Sequence, residues 1–251
     1  MKRFSIIFIS CCVLFISCFF LFFNKDVVYD LRSTTKFDSV STSNIVLSLR
    51  DQYNNSDIVG VLEIPSVFKT IVVKHSDNEY YLTHDINNKY SALGSVFMDY
   101  RVSYDSKKVL IYGHNIYGKK ELPFSKLDNY VDKSYFLKHP VIYFYTLDGT
   151  YIYDIFSSYV ETSDFDYVNV DDYNGLSYLE HINKLKNKSN YDTGIKLNSD
   201  SKIIILQTCN TRTGYDGSMK NTLVMGVLRS WFYEGCCYRR RPFWCYFCYF
   251  C

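Results

Sequence analysis

From Ile58 onward the apolar positions fall into short runs of β-branched and aromatic residues separated by turn-forming residues, the signature of an all-β sandwich or barrel. The runs predict eight strands, at roughly 58–64, 69–74, 93–98, 108–113, 141–146, 150–160, 202–208 and 222–229. Between the fifth and sixth, "YTLDGTY" carries Asp148 and Gly149 and reads as a hairpin turn. Two stretches change period. One is "FSKLDNYVDKSYFLKH" after the fourth strand. In the other, "GLSYLEHINKLKNK", Leu176, Leu179, Ile182 and Leu185 recur every third residue and predict a helix packing one face on the sheet. A short helix is predicted ahead of the first strand, with Ser43 as N-cap and Val46, Leu49 and Tyr53 at helical spacing. The pattern describes a closed or nearly closed β-barrel with helices on its outside.

The chain before the barrel is patterned differently. Phe4–Phe23 is uncharged and flanked by Lys2, Arg3 and Lys25, long enough for a membrane-spanning helix, so residues 1–25 are expected to be a transmembrane signal anchor. A cleavable signal peptide is the rival; it would have a shorter apolar region and a small-residue cleavage site. On the anchor reading the protein is single-pass, with its domain outside the cell. Residues 26–57 read as a polar stalk and the N-terminal helix, 58–232 as the barrel, and 233–251, "YEGCCYRRRPFWCYFCYFC", as an anomalous Cys/aromatic tail that does not continue the barrel pattern. Cys245 and Cys248 in that tail have knuckle spacing but no second ligand pair and no His, so no metal site is expected there. The acidic "DFDYVNVDD" at 164–172 lacks the spacing of a calcium loop and reads as a solvated loop. No cofactor is called for.

Composition narrows the function. A chain of 251 residues with 47% hydrophobic residues supports one globular domain. A formal charge of +2, with basic and acidic residues interspersed, gives no basic face for nucleic acid. Of nine cysteines, three lie in the N-terminal apolar segment and five in the tail, which leaves Cys209 alone in the barrel. A disulfide framework would need an even set of cysteines, so this thiol is either a small buried hydrophobe or one kept for its reactivity.

Cys209 ends the run "KIIILQTCN", where a strand passes into a loop. A thiolate nucleophile needs a partner base or cation, and the chain offers His75, His84, His114, His139 and His181. His114 has the matching position: "KKVLIYGHN" is again a β-branched run ending in a reactive residue, with Gly113 permitting a sharp exit. If the two strands are neighbours, both side chains emerge at one end of the barrel. His181 in the surface helix and His139 before Pro140 are expected to be solvated.

"LQTC" is similar to the TLxTC signature of sortases, the cysteine transpeptidases of Gram-positive bacteria, and "YGHN" resembles their histidine motif. "DNEYYLTHD" and "GSVFMDYR", with the helix at 176–187, resemble class B members, and the resemblance spans about residues 58–230. It implies an eight-stranded sortase-type β-barrel with a helix between strands 6 and 7. It also implies that Cys209 attacks a backbone carbonyl in a C-terminal sorting motif to give a thioacyl enzyme, His114 protonates the departing amine, and Thr208 shapes the site. The implied partners are sorting-signal peptides of exported proteins and an amine from a cell-wall precursor or a pilin. The family also places an arginine at the start of the last strand, to hold the substrate carbonyl and the oxyanion. Here that position aligns with Asn221, beside Lys220, while Arg212 lies earlier in the loop. Arg212 is the favoured substitute over Lys220 and Asn221, because only a guanidinium supplies a planar fork. A catalytically inactive peptide-binding barrel and a cysteine endopeptidase remain the rival readings.

Overall fold

In the fifth strand, β5 (Val141–Thr146), Ile142, Phe144 and Thr146 are buried while the residues between them are half-buried, so its two-residue period survives intact in the fold. The structure is a computed structural model that describes residues 42–162, 165–170, 177–211, 220–233 and 236–238. Chain order runs α1 (Thr42–Tyr53), β1 (Ile58–Ile64), β2 (Phe68–Val73), β3 (Phe97–Met98), β4 (Lys108–Tyr112), α2 (Lys133–Lys138), β5, β6 (Gly149–Glu161), α3 (Tyr178–Asn187), β7 (Ile203–Cys209), β8 (Asn221–Tyr233) and β9 (Cys236–Tyr238). Short 3₁₀ segments cover Tyr80–Leu82, Pro123–Val131 and Asp166–Val168.

The sheet order is β6-β5-β1-β2-β3-β4-β7-β8-β9, and a β6–β8 pairing closes strands β1 to β8 into the expected eight-stranded barrel. Two pairings are parallel, β2 with β3 and β4 with β7. The β5–β6 hairpin turns at Leu147 and Asp148, where Gly149 takes φ 134° and the Thr146 hydroxyl donates to the Gly149 carbonyl. Conformational freedom at φ > 0 is what glycine supplies there.

The apolar run of β7 does not alternate because both of its faces are covered. Ile204 and Leu206 enter the barrel interior with Val109, Ile111, Phe144 and Val224. Ile203 and Ile205 point outward into a second cluster with Leu110, Phe156, Tyr167, Ile182 and Leu185, sealed by α3. A capping box starts α3: the Ser177 hydroxyl accepts from the Glu180 amide, and the Glu180 carboxylate accepts from the Ser177 amide. A third cluster sets Val46 of α1 against Ile58, Val73, Tyr81 and Phe97.

Several expectations need correction. β3 covers only Phe97–Met98 rather than 93–98, because Gly94, at φ 56°, belongs to a turn closed by its amide on the Ser91 carbonyl. The N-terminal helix starts at Thr42, so Ser43 lies inside it. His181 is not solvated: it is 1% exposed, and the Lys108 ammonium from the outer face of β4 lies 2.9 Å from its Nε2. The stretch containing Tyr167 is likewise no solvated loop, since Tyr167 is buried and Asp166 pairs with Lys184. The tail contributes β9, antiparallel to the end of β8.

The expectation of a single-pass membrane protein is also corrected. Among the described residues no helix is long and apolar enough to cross a membrane. The segment that prompted it, 1–25, lies outside the described residues.

Asp99, just beyond β3, is a tightly held carboxylate. Its side chain is fully buried and accepts from the Arg101 guanidinium at 2.7 and 2.9 Å, from Tyr112 at 2.8 Å and from Asn78 at 3.0 Å. Burial raises its proton affinity, but the Arg101 and Tyr112 hydrogen bonds prevail and hold it below the ordinary carboxylate range. Asp99→Asn should cost about 2–3 kcal/mol of stability, moderated by the partial exposure of Arg101. Because the folded-state affinity is depressed, this contribution is present above about pH 4 and is lost as pH falls through the lower folded value. Denaturant melts should therefore separate wild type and variant at neutral pH and converge in acid.

Candidate active site

β4 and β7 run parallel in the register Lys108↔Ile203 to Tyr112↔Gln207. One step beyond, the Gly113 amide donates to the Gln207 carbonyl at 3.2 Å, and the fully buried Thr208 hydroxyl donates to the Gly113 carbonyl at 2.7 Å. The next residues out on the two strands are His114 and Cys209, so both are delivered to the same end of the barrel. Thr208 acts from below, as the tie between the two strand ends.

Gly113 is needed for a different reason from the one its sequence position suggests. Its φ is not positive; instead, a Cβ there would stand 2.7 Å from the buried Phe124 ring and 3.2 Å from Val96. Phe124 belongs to the 3₁₀ segment Pro123–Val131, so the missing side chain lets that segment close against the exit of β4.

That segment delivers Asp128, 3% exposed, close to Cys209. One carboxylate oxygen accepts from the Asn115 side-chain amide at 2.8 Å and from the Thr211 backbone amide at 3.0 Å. The other accepts from the Thr222 hydroxyl, and from the Asn210 side-chain amide at 3.3 Å. The Asn115 amide also donates to the Cys209 carbonyl at 2.9 Å. Asp128 and Asn115 were not foreseen; "YGHN" contains Asn115, but nothing in the sequence joins it to a carboxylate in a later helical stretch.

The Cys209 side chain is exposed. Partial burial pushes its thiol up, and the Asp128 charge adds to the effect. His114 is half-buried, with Nε2 2.8 Å from the Leu82 carbonyl oxygen; among the described residues no hydrogen bond joins its ring to the thiol. His75 and His84 are engaged elsewhere, with Asp77 and with the Tyr80 carbonyl, and His139 is half-buried against Tyr135.

Of the residues considered in place of the family arginine, Arg212 lies outside the described residues. Lys220 closes the base of its loop by accepting the Asn210 amide on its carbonyl at 2.8 Å. Asn221 pairs directly with Cys209 across β7 and β8, and its amide donates to the buried Tyr167 hydroxyl at 2.7 Å. Burial pushes the Tyr167 phenol up to about 12; Asn221 pulls the other way, while Glu161 and Cys209 add to the rise. Tyr167 too was missed in the sequence, hidden in an acidic stretch. No group of acidic, His or Cys side chains able to hold a metal ion is present among the described residues.

The family model for the sortase domain matches residues 62–229. The chain belongs to the sortase family. It is 30% identical to sortase B of Listeria monocytogenes over 201 residues, covering 77% of this chain and 80% of that protein. Sortase B of Staphylococcus aureus is 27% identical over 177 residues, covering 69% and 71%. Among solved structures, a Staphylococcus aureus sortase B–substrate complex superposes with a TM-score of 0.66 at 26% identity, over 74% of this chain and 85% of that one. Clostridium perfringens sortase B gives 0.64 at 25% identity, over 72% and 98%. The protein is thus a class B-like sortase, and membership supports a cell-wall cysteine transpeptidase.

Two measurements probe this sortase's site directly. Alkylation of Cys209 by iodoacetamide should rise with pH through a midpoint above the ordinary thiol value of about 8.5. Gly113→Ala should lower stability by about 1–3 kcal/mol through overpacking against Phe124, read as a lower midpoint in thermal melts.

Proposed function

We propose that this sortase cleaves a C-terminal sorting motif of an exported protein through a thioacyl intermediate on Cys209 and transfers the acyl group to an amine. The observation that carries the reading is the shared exit of two parallel, in-register strands that lead to His114 and Cys209. The Cys209 thiolate attacks the scissile carbonyl and the carbon–nitrogen bond breaks. His114 gives a proton to the departing amine. An incoming amine then attacks the thioester and regenerates the thiol. A protonated imidazole has two N–H donors, so Nε2 can stay with the Leu82 carbonyl while Nδ1 delivers its proton. The acceptor is an amine of a cell-wall precursor or a pilin lysine, and Arg212 is assigned to the substrate carbonyl and the developing oxyanion.

A second reading is a catalytically inactive barrel that retains peptide binding. It is favoured by Asn221, which stands at the family's arginine position with its amide committed to Tyr167.

The test is turnover of a library of fluorogenic sorting-type peptides by the full chain, with and without added amine. Amine-dependent transfer is expected, abolished in Cys209→Ala and reduced about 10²- to 10⁴-fold in His114→Ala. Arg212→Ala should cost about 10²- to 10³-fold. Peptide binding without any turnover would establish the inactive barrel. Hydrolysis indifferent to amine would make the protein an endopeptidase.

A further inference from the structure

The two strand ends that carry His114 and Cys209 are each followed by residues that lean on one carboxylate. On the β4 side it is Asn115, 6% exposed, whose amide reaches both Asp128 and the Cys209 carbonyl. On the β7 side it is Asn210 and Thr211, and on the facing end of β8 it is Thr222, fully buried. Asp128 comes from none of these strands, but from a 3₁₀ segment seated over Gly113 through Phe124. A buried carboxylate with several donors converging on it fixes their mutual positions, because releasing any one leaves a buried polar group without its partner.

We propose that Asp128 is a positioning residue for the nucleophile, coupling the exits of β4, β7 and β8 so that Cys209 is held at the level of His114. The inference rests on the transpeptidase reading only for its rate measurement. Its charge has a second effect on the thiol: beside the larger contribution of burial, Asp128 disfavours the thiolate. Among the described residues, the titratable groups around the pair are His114 from the exit of β4, Tyr167 from the 3₁₀ turn at 166–168, Lys220 at the base of β8, and Lys119, Lys120 and Lys126, which line a groove of about 640 Å³ together with Asp128. None of these is altered by a change at Asp128 itself.

Position and charge are separable by substitution. Asp128→Asn replaces one acceptor by an amide donor that meets other donors, and it removes the charge. Asn115→Ala removes the tie to the Cys209 carbonyl and leaves the charge in place. In the full chain, two quantities are read for each variant: the pH midpoint of Cys209 alkylation by iodoacetamide, and the rate of amine-dependent transfer. Asp128→Asn should move the midpoint down and slow transfer on the order of 10- to 100-fold, the size of effect expected when a reacting group is displaced. Asn115→Ala should slow transfer by a similar factor with the midpoint in place. A folded Asp128→Asn protein with unchanged midpoint and transfer overturns the inference. If Asp128→Asn does not fold, Asn115→Ala decides it, and an unchanged transfer rate there overturns it. Wild type without transfer but with the midpoint lowered in Asp128→Asn would refute the transpeptidase reading while upholding Asp128's influence on the thiol.

Discussion

The parallel pairing of Lys108–Tyr112 with Ile203–Gln207 is the constraint on which the rest of the molecule depends. Antiparallel neighbours would send their last residues to opposite ends of the barrel; parallel ones send them to the same end. A parallel pair also demands a long crossover, and here everything between Gly113 and Lys202 serves as that crossover. The chain uses it to build the 3₁₀ segment under the site, the β5–β6 hairpin that helps close the barrel, and the helix that seals the outer face of β7.

A second tension runs through the site itself. Buried polar groups at the barrel end must find partners, and the carboxylate that gathers them lies close enough to the Cys209 thiol to oppose its ionisation. Precise placement and intrinsic reactivity therefore pull in opposite directions at Cys209. The His114 imidazole is occupied by the Leu82 carbonyl, so among the described residues the two strand exits are related through the backbone and not by a hydrogen bond between the His114 and Cys209 side chains.

Where periodicity was intact the sequence was informative. The limits of β1 and β5 coincide with their apolar runs, and α3 follows its three-residue spacing with Ile182 and Leu185 inward. The neighbouring exits of the strands that lead to His114 and Cys209 were legible because the two apolar runs share one plan. What escaped was contact between distant parts of the chain. Asp128 meets Thr211 across 83 positions, and Lys108 meets His181 across 73, a basic residue in a strand answered by a histidine on a helix. Neither partner stands out alone, which is why His181 looked like a surface residue. Gly113 was singled out correctly for the wrong property: its lack of a side chain matters for the Phe124 ring, and its backbone is ordinary.

The stretch from Asp166 to Val170 is fastened to the barrel at nearly every residue. Asp166 pairs with Lys184, Tyr167 receives the Asn221 amide, the Val168 carbonyl accepts from Arg101 at 3.0 Å, and the Asn169 carbonyl accepts from Lys108. Two of those tethers, from Arg101 and Lys108, are basic side chains directed at main-chain oxygens of the segment. They constrain the path of the segment at Val168 and Asn169 through the backbone alone, whereas Asp166 and Tyr167 are held by their side chains. Natural divergence or laboratory grafting can therefore change the side chains at Val168 and Asn169 while keeping the same trace, whereas an insertion or deletion of one residue would strand Arg101 and Lys108 beneath a chain that no longer meets them.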